Sequence, residues 1–293
     1  MTSIENPVAV TGATGALGGR VARLLADRGV RQRLLVRDPD RAPELPGAEV
    51  AQVAYGDQEA TRAALDGVKT LFMVSAKESA TRREEHRAFI AAAAAAGVEH
   101  IVYTSFMAAA PDAVFTHGRD HDEAEHLIKG SGMSWMLLRD NFYMDIVPHF
   151  VGEDDVLRGP AGDGRCSLVS RADVARVAAT VLENPRAHAG RTYDLTGPEA
   201  LTMTEMAEAL TRAWGRPVRF HNETIEEAYE SRRAWPAEQW EYDAWVSTYT
   251  AIASGDLSGI SDDVQAVTGQ APMTFAQYLE GGLPRRPSVD APG

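Results

Sequence analysis

The stretch Val8-Ala9-Val10-Thr11-Gly12-Ala13-Thr14-Gly15-Ala16-Leu17-Gly18 decides how this chain is read. Val8 to Thr11 have the apolar, β-branched character of a buried strand. Beyond the glycines, Leu17, Val21, Leu24 and Leu25 recur near the 3.6-residue period, the apolar stripe of a helix. Between strand and helix, Gly12, Gly15 and Gly18 give the spacing G-x-x-G-x-x-G, a variant of G-x-G-x-x-G. A turn that receives a pyrophosphate needs glycines for three reasons: a sharp bend, close approach of backbone to phosphate, and close packing of helix on sheet. The first helical turn then offers unpaired N–H groups and a partial positive charge to the anion. Alone the spacing is a weak signal. Set between a strand and an amphipathic helix, it predicts a dinucleotide site at Gly12, Thr14, Gly15, Ala16, Leu17 and Gly18.

Outward from this turn, strand patterns at 33–36, 49–53, 70–74, 100–104 and 135–138 alternate with helical ones at 79–96 and 120–129. Gly29 closes the first helix and Gly97 the long one. Right-handed crossovers and a parallel sheet covered on both faces follow, so the expected fold is α/β, a doubly wound Rossmann sheet. After Arg139 the rhythm loosens. The Gly/Pro/Asp-rich segment 152–164 reads as a surface loop, 167–169 as a strand, 172–182 as a helix and 191–195 as a strand. Thr202 or Thr204 caps a helix running to Trp214, and helical segments rich in Trp, Tyr and acidic residues are expected beyond Pro217. Residues 1–150 are thus expected to form a dinucleotide-binding core, with 165–198 returning to it. Residues 199–283, with the loop 151–164, would make a smaller, mostly helical substrate lobe, and 284–293 a disordered Pro-rich tail.

The chain has 293 residues, 44% hydrophobic and 24% charged, an ordinary globular composition. No apolar run approaches the ~20 residues needed to cross a bilayer, and the alanine run 91–96 is far too short. No basic segment followed by an apolar one opens the sequence, and Cys166 is the single cysteine, so no intrachain disulfide can form. A cytoplasmic protein with no membrane partner is expected, with Cys166 as a buried small residue. A net charge of −13 argues against nucleic acid as a partner. The expected partner is a small-molecule substrate, and a homodimer is allowed. The aromatic cluster Trp235, Trp240, Tyr242, Trp245 and Tyr249 suits helix packing or a subunit contact.

The second strand ends in Val36-Arg37-Asp38-Pro39. An acidic side chain at this place bonds a ribose 2′-hydroxyl, whereas an arginine suits a 2′-phosphate. Arg37 therefore favours NADP(H), and Asp38 directly after it keeps the NAD reading open. With this segment, the glycine turn, Gly56-Asp57 and His100-Ile101-Val102-Tyr103-Thr104-Ser105 in hand, the chain resembles the atypical short-chain dehydrogenase/reductases. It is most similar to the NmrA-like branch, which includes bacterial NAD(P)H:quinone oxidoreductases and NADP-sensing regulators. The likeness extends through 134–143, 171–175, 196–199 and 261–270. The resemblance implies that Asp57 lies near the adenine and that Ser75 and Thr104 line the cofactor cleft.

Ordinary members of that superfamily carry Tyr-x-x-x-Lys, in which the lysine lowers the tyrosine pKa for proton exchange. Here the lysines are Lys69, Lys77 and Lys129, and four residues before them stand Leu65, Met73 and Glu125. The corresponding segment places His117 and His121 where tyrosine and lysine would stand. At i, i+4 they share one side of a helix, and an imidazole titrates near neutral pH, so His121 or His117 is a candidate proton donor. The same pair with Asp122 or Glu125 has metal-compatible spacing, but no third histidine or cysteine accompanies it, and no metal is expected. Ser105, just past the fifth strand pattern, is a candidate substrate donor. Tyr143, after the sixth, is a second proton donor, with Asn141 and Phe142 beside it as a wall. The resemblance thus implies an NADPH-dependent oxidoreductase acting on a small quinone-like or conjugated carbonyl compound. The alternatives are a catalytically silent NADP-sensing regulator and a tailoring reductase of a specialised metabolite.

Overall fold

The computed structural model describes residues 6–281. The expected tail 284–293, and residues 282–283 of the expected lobe, lie outside the described residues. The first half of the chain runs β1 (Val8–Thr11), α1 (Ala16–Asp27), β2 (Gln32–Val36), β3 (Ala48–Gln52), α2 (Gln58–Ala64), β4 (Thr70–Met73), α3 (Arg82–Ala95), β5 (His100–Phe106), α4 (Thr116–Gly130) and β6 (Ser134–Asp140). Then come β7 (Val156–Gly159), β8 (Arg165–Cys166), α5 (Arg171–Glu183), β9 (Arg191–Leu195), β10 (Leu201–Thr202), α6 (Met203–Trp214) and β11 (Arg219–Asn222). The helices α7 (Ile225–Arg232), α8 (Gln239–Ser254), α9 (Asp263–Thr268) and α10 (Phe275–Glu280) follow.

Seven strands form one sheet in the order β3-β2-β1-β4-β5-β6-β9, every neighbouring pair parallel. The order reverses between β1 and β4, and ligands of open α/β sheets gather at the carboxyl ends beside such a point. This is the doubly wound Rossmann sheet expected from the alternating pattern. Its strands are nearly continuous in apolar residues because helices cover both faces. On one face Leu17, Val21 and Leu25 of α1 pack with Val174, Val177 and Val181 of α5. On the other, Leu65 together with Phe89 and Ile90 of α3 and Ile128 of α4 fills the core.

A second core joins the end of the sheet to the later helices: Phe106 and Phe142 meet Met206 and Leu210 of α6, Tyr249 and Ile252 of α8, and Phe275 of α10. The helix α6 is capped by Thr202 rather than Thr204. The Thr202 hydroxyl accepts from Glu205 N at 3.1 Å and the Glu205 carboxylate from Thr202 N at 2.8 Å, a reciprocal cap.

The structure corrects the expected loop at 152–164. It contains β7, which pairs in parallel with β11, so residues 219–222 are a strand and not a helix. The glycines there serve close packing: a Cβ on Gly159 would run into the Tyr249 ring, and one on Gly164 into the Ile252 carbonyl. The short helix α2 is a further element, and β5 extends through Phe106, two residues beyond its expected end. Replacing Gly164 by Ala is expected to destabilise the fold by about 1–3 kcal/mol, because the obstacle is backbone and cannot rotate away. Urea unfolding of Gly164→Ala beside Gly162→Ala measures this. Gly162, with nothing within 4 Å of its Cβ position, reports only the strain of its φ of 54°.

Candidate active site

At the end of β1 the chain turns through Gly12, whose φ of 63° lies in the left-handed region. Gly15 precedes α1 without any side-chain cap, and the first helical turn has no acidic residue. The opening N–H groups therefore lack intrahelical acceptors, and Thr14, Gly15 and Ala16 are exposed. A Cβ on Gly18 would run into the Gly12 carbonyl oxygen, and one on Gly19 would come within 2.9 Å of the Ala13 carbonyl oxygen. An uncapped helix N-terminus over a turn this tight fits the pyrophosphate of a dinucleotide.

The surroundings of the turn are fixed from β4. Thr11 Oγ1 accepts from Val74 N at 2.8 Å, and the Tyr55 hydroxyl lies 2.7 Å from it while bonding the Val74 carbonyl. Tyr55 carries no motif that would single it out in the sequence. Ser75 N donates to Thr104 Oγ1 at 2.9 Å, which brings these two residues together at the carboxyl ends of β4 and β5. Asp57 caps α2, accepting from Ala60 N at 2.9 Å. At the tip of β2, Arg37 is exposed, whereas the Asp38 carboxylate is engaged by Asp40 N at 3.2 Å.

On α4 the two histidines lie one turn apart, 5% and 6% exposed. They meet different partners. Arg82, buried at the start of α3, donates to the Ala76 carbonyl at 3.0 Å and faces Asp120 at 3.5 Å. Its other nitrogen lies 3.1 Å from His121 Nε2. A guanidinium only donates, so Nε2 accepts and the His121 proton sits on Nδ1, 3.0 Å from the Tyr103 hydroxyl. Burial first, then Arg82, holds His121 well below the ordinary histidine pKa, so the ring is neutral. His86 is held in the same way, down to about 3. His117 behaves oppositely. Its Nδ1 is 3.1 Å from Asp120 and its Nε2 3.5 Å from Glu78. Burial works against the charged ring, but these two carboxylates outweigh it and raise the pKa. No hydrogen bond reaches Nε2 among the described residues.

Ser105 is corrected by the structure. It lies inside β5, fully buried, and donates to Glu125 at 2.7 Å. Glu125 is in turn saturated by Arg139, through two bonds of 2.7 Å, and by Lys129 at 3.1 Å. The Tyr143 hydroxyl donates to Asp140, and the Arg171 guanidinium lies 4.3 Å from the Tyr143 ring centre. Burial pushes Asp140 up to about 7 against the opposing Tyr143 bond, and burial with Asp140 pushes Tyr143 well above its usual value. Asn141 turns inward, bonding Ser167 and the Leu257 carbonyl, both at 2.9 Å. Phe142, Phe106 and Phe115 form a mutual cluster at 4.9–5.2 Å, and Phe115 stands edge-on to His117 at 5.5 Å.

A cleft of about 520 Å³ opens between residues 75–82 and the start of α8, with Ser75, Glu78, Arg82, Trp240, Glu241 and Trp245 among its walls. The Trp240 ring lies 6.3 Å from that of His117. Cleft and glycine turn adjoin, since a Cβ on Gly12 would stand 3.3 Å from the side chain of Val74, next to Ser75. Among the described residues no group of three or more His, Cys, Asp or Glu side chains is placed to hold a metal ion. No described helix is long and apolar enough to cross a membrane.

The family described as NAD(P)H-binding matches residues 12–185, more than half of the chain and beginning at the turn just described. The chain belongs to this NAD(P)H-binding family. Within it, the NAD(P)H azoreductase of Xenophilus azovorans is 34% identical over 279 residues, covering 93% of this chain and 96% of that protein. Quinone oxidoreductase 2 of Escherichia coli is 37% identical over 223 residues, 73% of this chain and 77% of that protein. The solved structure of the NADPH-dependent quinone oxidoreductase QOR2 from Escherichia coli with NADPH superposes with a TM-score of 0.85 at 31% identity, covering 94% and 99% of the two chains. The transcriptional regulator NmrA in complex with NADP shares the fold, with a TM-score of 0.75 at 15% identity over 94% of each chain.

Gly18→Ala is expected to abolish NADPH binding in calorimetric titration, since the added methyl must displace the Gly12 carbonyl from the turn. Retained affinity in the folded variant would show that the cradle is not the binding element.

Proposed function

We propose that the chain is an NADPH-dependent reductase that passes hydride to a small quinone-like or conjugated carbonyl compound held in the cleft between residues 75–82 and α8. The observation that carries this reading is His117. It is a buried imidazole of raised pKa beside the cleft, with an Nε2 that faces Glu78 at 3.5 Å and makes no hydrogen bond among the described residues. The names of the azoreductase and quinone reductase relatives support the same class of acceptor. The glycine turn would hold the pyrophosphate and Arg37 the 2′-phosphate; bound NADPH supplies the hydride.

The protein's own part is orientation and a proton. Asp120 fixes the His117 ring through Nδ1, so that Nε2 points its proton at the acceptor oxygen. Phe115 backs the His117 ring from the second core, and the two tryptophans of α8 line the cleft. His121, neutral and bonded at both nitrogens, is the positioning residue that keeps Arg82 against Asp120. Tyr143, whose hydroxyl donates to Asp140, stands in reserve.

NADPH oxidation with menadione tests the whole reading; tight NADPH binding without turnover over a panel of quinones and enones would favour a cofactor sensor instead. His117→Gln is expected to lower kcat/KM about a hundredfold with NADPH affinity intact. The working form of His117 is protonated, so the rate should fall as pH rises through its raised pKa, above 6.5, and this limb should vanish in His117→Gln and persist in His121→Ala. Arg37→Ala is expected to weaken NADPH binding about tenfold, ~1.4 kcal/mol, and to leave NADH binding unchanged, as read by calorimetry.

A further inference from the structure

We propose that the cleft selects flat acceptors carrying a positive charge: a quinone or conjugated carbonyl compound whose ring system bears a cationic substituent. This deepens the reading of the site as a reductase and rests on it.

Carboxylates enter the cleft from both walls. Glu78 comes from the segment after β4, and Glu238 and Glu241 from the start of α8. The two on α8 are held rigidly: Glu241 accepts from Glu238 N at 2.8 Å, and Glu238 accepts the Trp240 indole N–H at 3.0 Å. Helix capping accounts for Glu241 and for the place of Glu238, the N-cap of α8. It accounts for neither Glu78, on the opposite wall, nor the indole grip of Glu238. The cations of the lining are Lys77, at the exposed rim, and Arg82. Arg82 is buried and committed to the Ala76 carbonyl, His121 and Asp120, and Asp120 offsets its charge from behind the wall.

Trp240 and Trp245, both half-buried, place aromatic faces among these carboxylates. An indole whose N–H is donated to a carboxylate is richer in π density, and an indole face with nearby anions is the recognised environment for ammonium groups. The second observation is His117 Nε2, 95% buried as a residue and lacking any hydrogen bond among the described residues, next to Glu78 and Trp240. Glu78 faces this nitrogen at 3.5 Å without forming a hydrogen bond, so a carbonyl oxygen that comes closer to Nε2 leaves Glu78 free, with Glu238, to face a cation. One molecule satisfies both if it carries a carbonyl oxygen toward His117 and a positive group toward Glu78, Glu238 and the tryptophans. An anionic acceptor meets the same carboxylates as repulsion. Reduction adds one hydride to the conjugated system and one proton to its oxygen, giving the hydroquinone or reduced carbonyl compound, while the charged substituent is unchanged.

The test uses three 1,4-naphthoquinones titrated calorimetrically into the full chain saturated with NADP+: neutral menadione, a derivative with a trimethylammonioalkyl side chain, and the 2-sulfonate. The expected result is at least tenfold tighter binding of the ammonium compound than of the sulfonate at low ionic strength. The gap should narrow at high salt and in Glu78→Gln/Glu238→Gln, whose side chains keep their hydrogen-bonding oxygens without the charge. KM values should follow the same order. Equal affinities, tighter binding of the sulfonate, or a preference untouched by the double substitution would each overturn the proposal. If the cation preference appears in binding while none of the three compounds is turned over with NADPH, it is the reductase reading that fails and the cation site that stands.

Discussion

The contact on which the rest of this structure depends is the approach of α1 to the end of β1, where Gly18 lies so near the Gly12 carbonyl that no side chain fits between them. That approach aims the helix N-terminus at the carboxyl edge of the sheet, where no side chain caps its first N–H groups. It also sets α1 low enough on the sheet for Val21 and Leu25 to share a core with α5, which carries the chain on to the last strand, β9. The Thr11, Tyr55 and Val74 bonds hold the other side of the turn, so the glycine turn is clamped between β1 and β4.

A second organising element is Arg82. It touches one of two histidines a helical turn apart: burial and then the guanidinium keep His121 neutral, while Asp120 and Glu78 raise the pKa of His117 against burial and the same guanidinium. Asp120 serves both sides, facing Arg82 at 3.5 Å and His117 at 3.1 Å. The Glu125 cluster with Arg139, Lys129 and Ser105 is separate from this arrangement and ties α4 to β5 and β6. A saturated buried carboxylate of that kind braces the helix that carries both histidines.

Much of the fold was legible because its signals are local. The strand, turn and helix from Val8 to Asp27 combine a β-branched run, three glycines and a 3.6-residue stripe within 20 residues. The Rossmann alternation repeats such local signals. The pair β7 and β11 was not legible: each is four residues long, and a two-stranded ribbon leaves no sustained alternation. Gly159 and Gly164 look like loop residues in sequence, and only Tyr249 and Ile252, some 90 residues on, show why they are small. At the site, His117 and His121 were visible as a spaced pair, but their divergence depends on Arg82 and Glu78, more than 30 residues upstream. Tyr55 and Asp140 have no motif, and Ser105 was misplaced because β5 continues two residues past its apolar pattern.

The strand pairs β7 with β11 and β8 with β10 straddle α5 and β9, which belong to the main sheet. The late strands are therefore paired across the main sheet's own sequence and not appended after it. A gene cut after residue 198 would strip β7 and β8 of their hydrogen-bonding mates, and the second core would lose every residue it takes from α6, α8 and α10. Neither half keeps the partners it folds against, so neither is a transferable module.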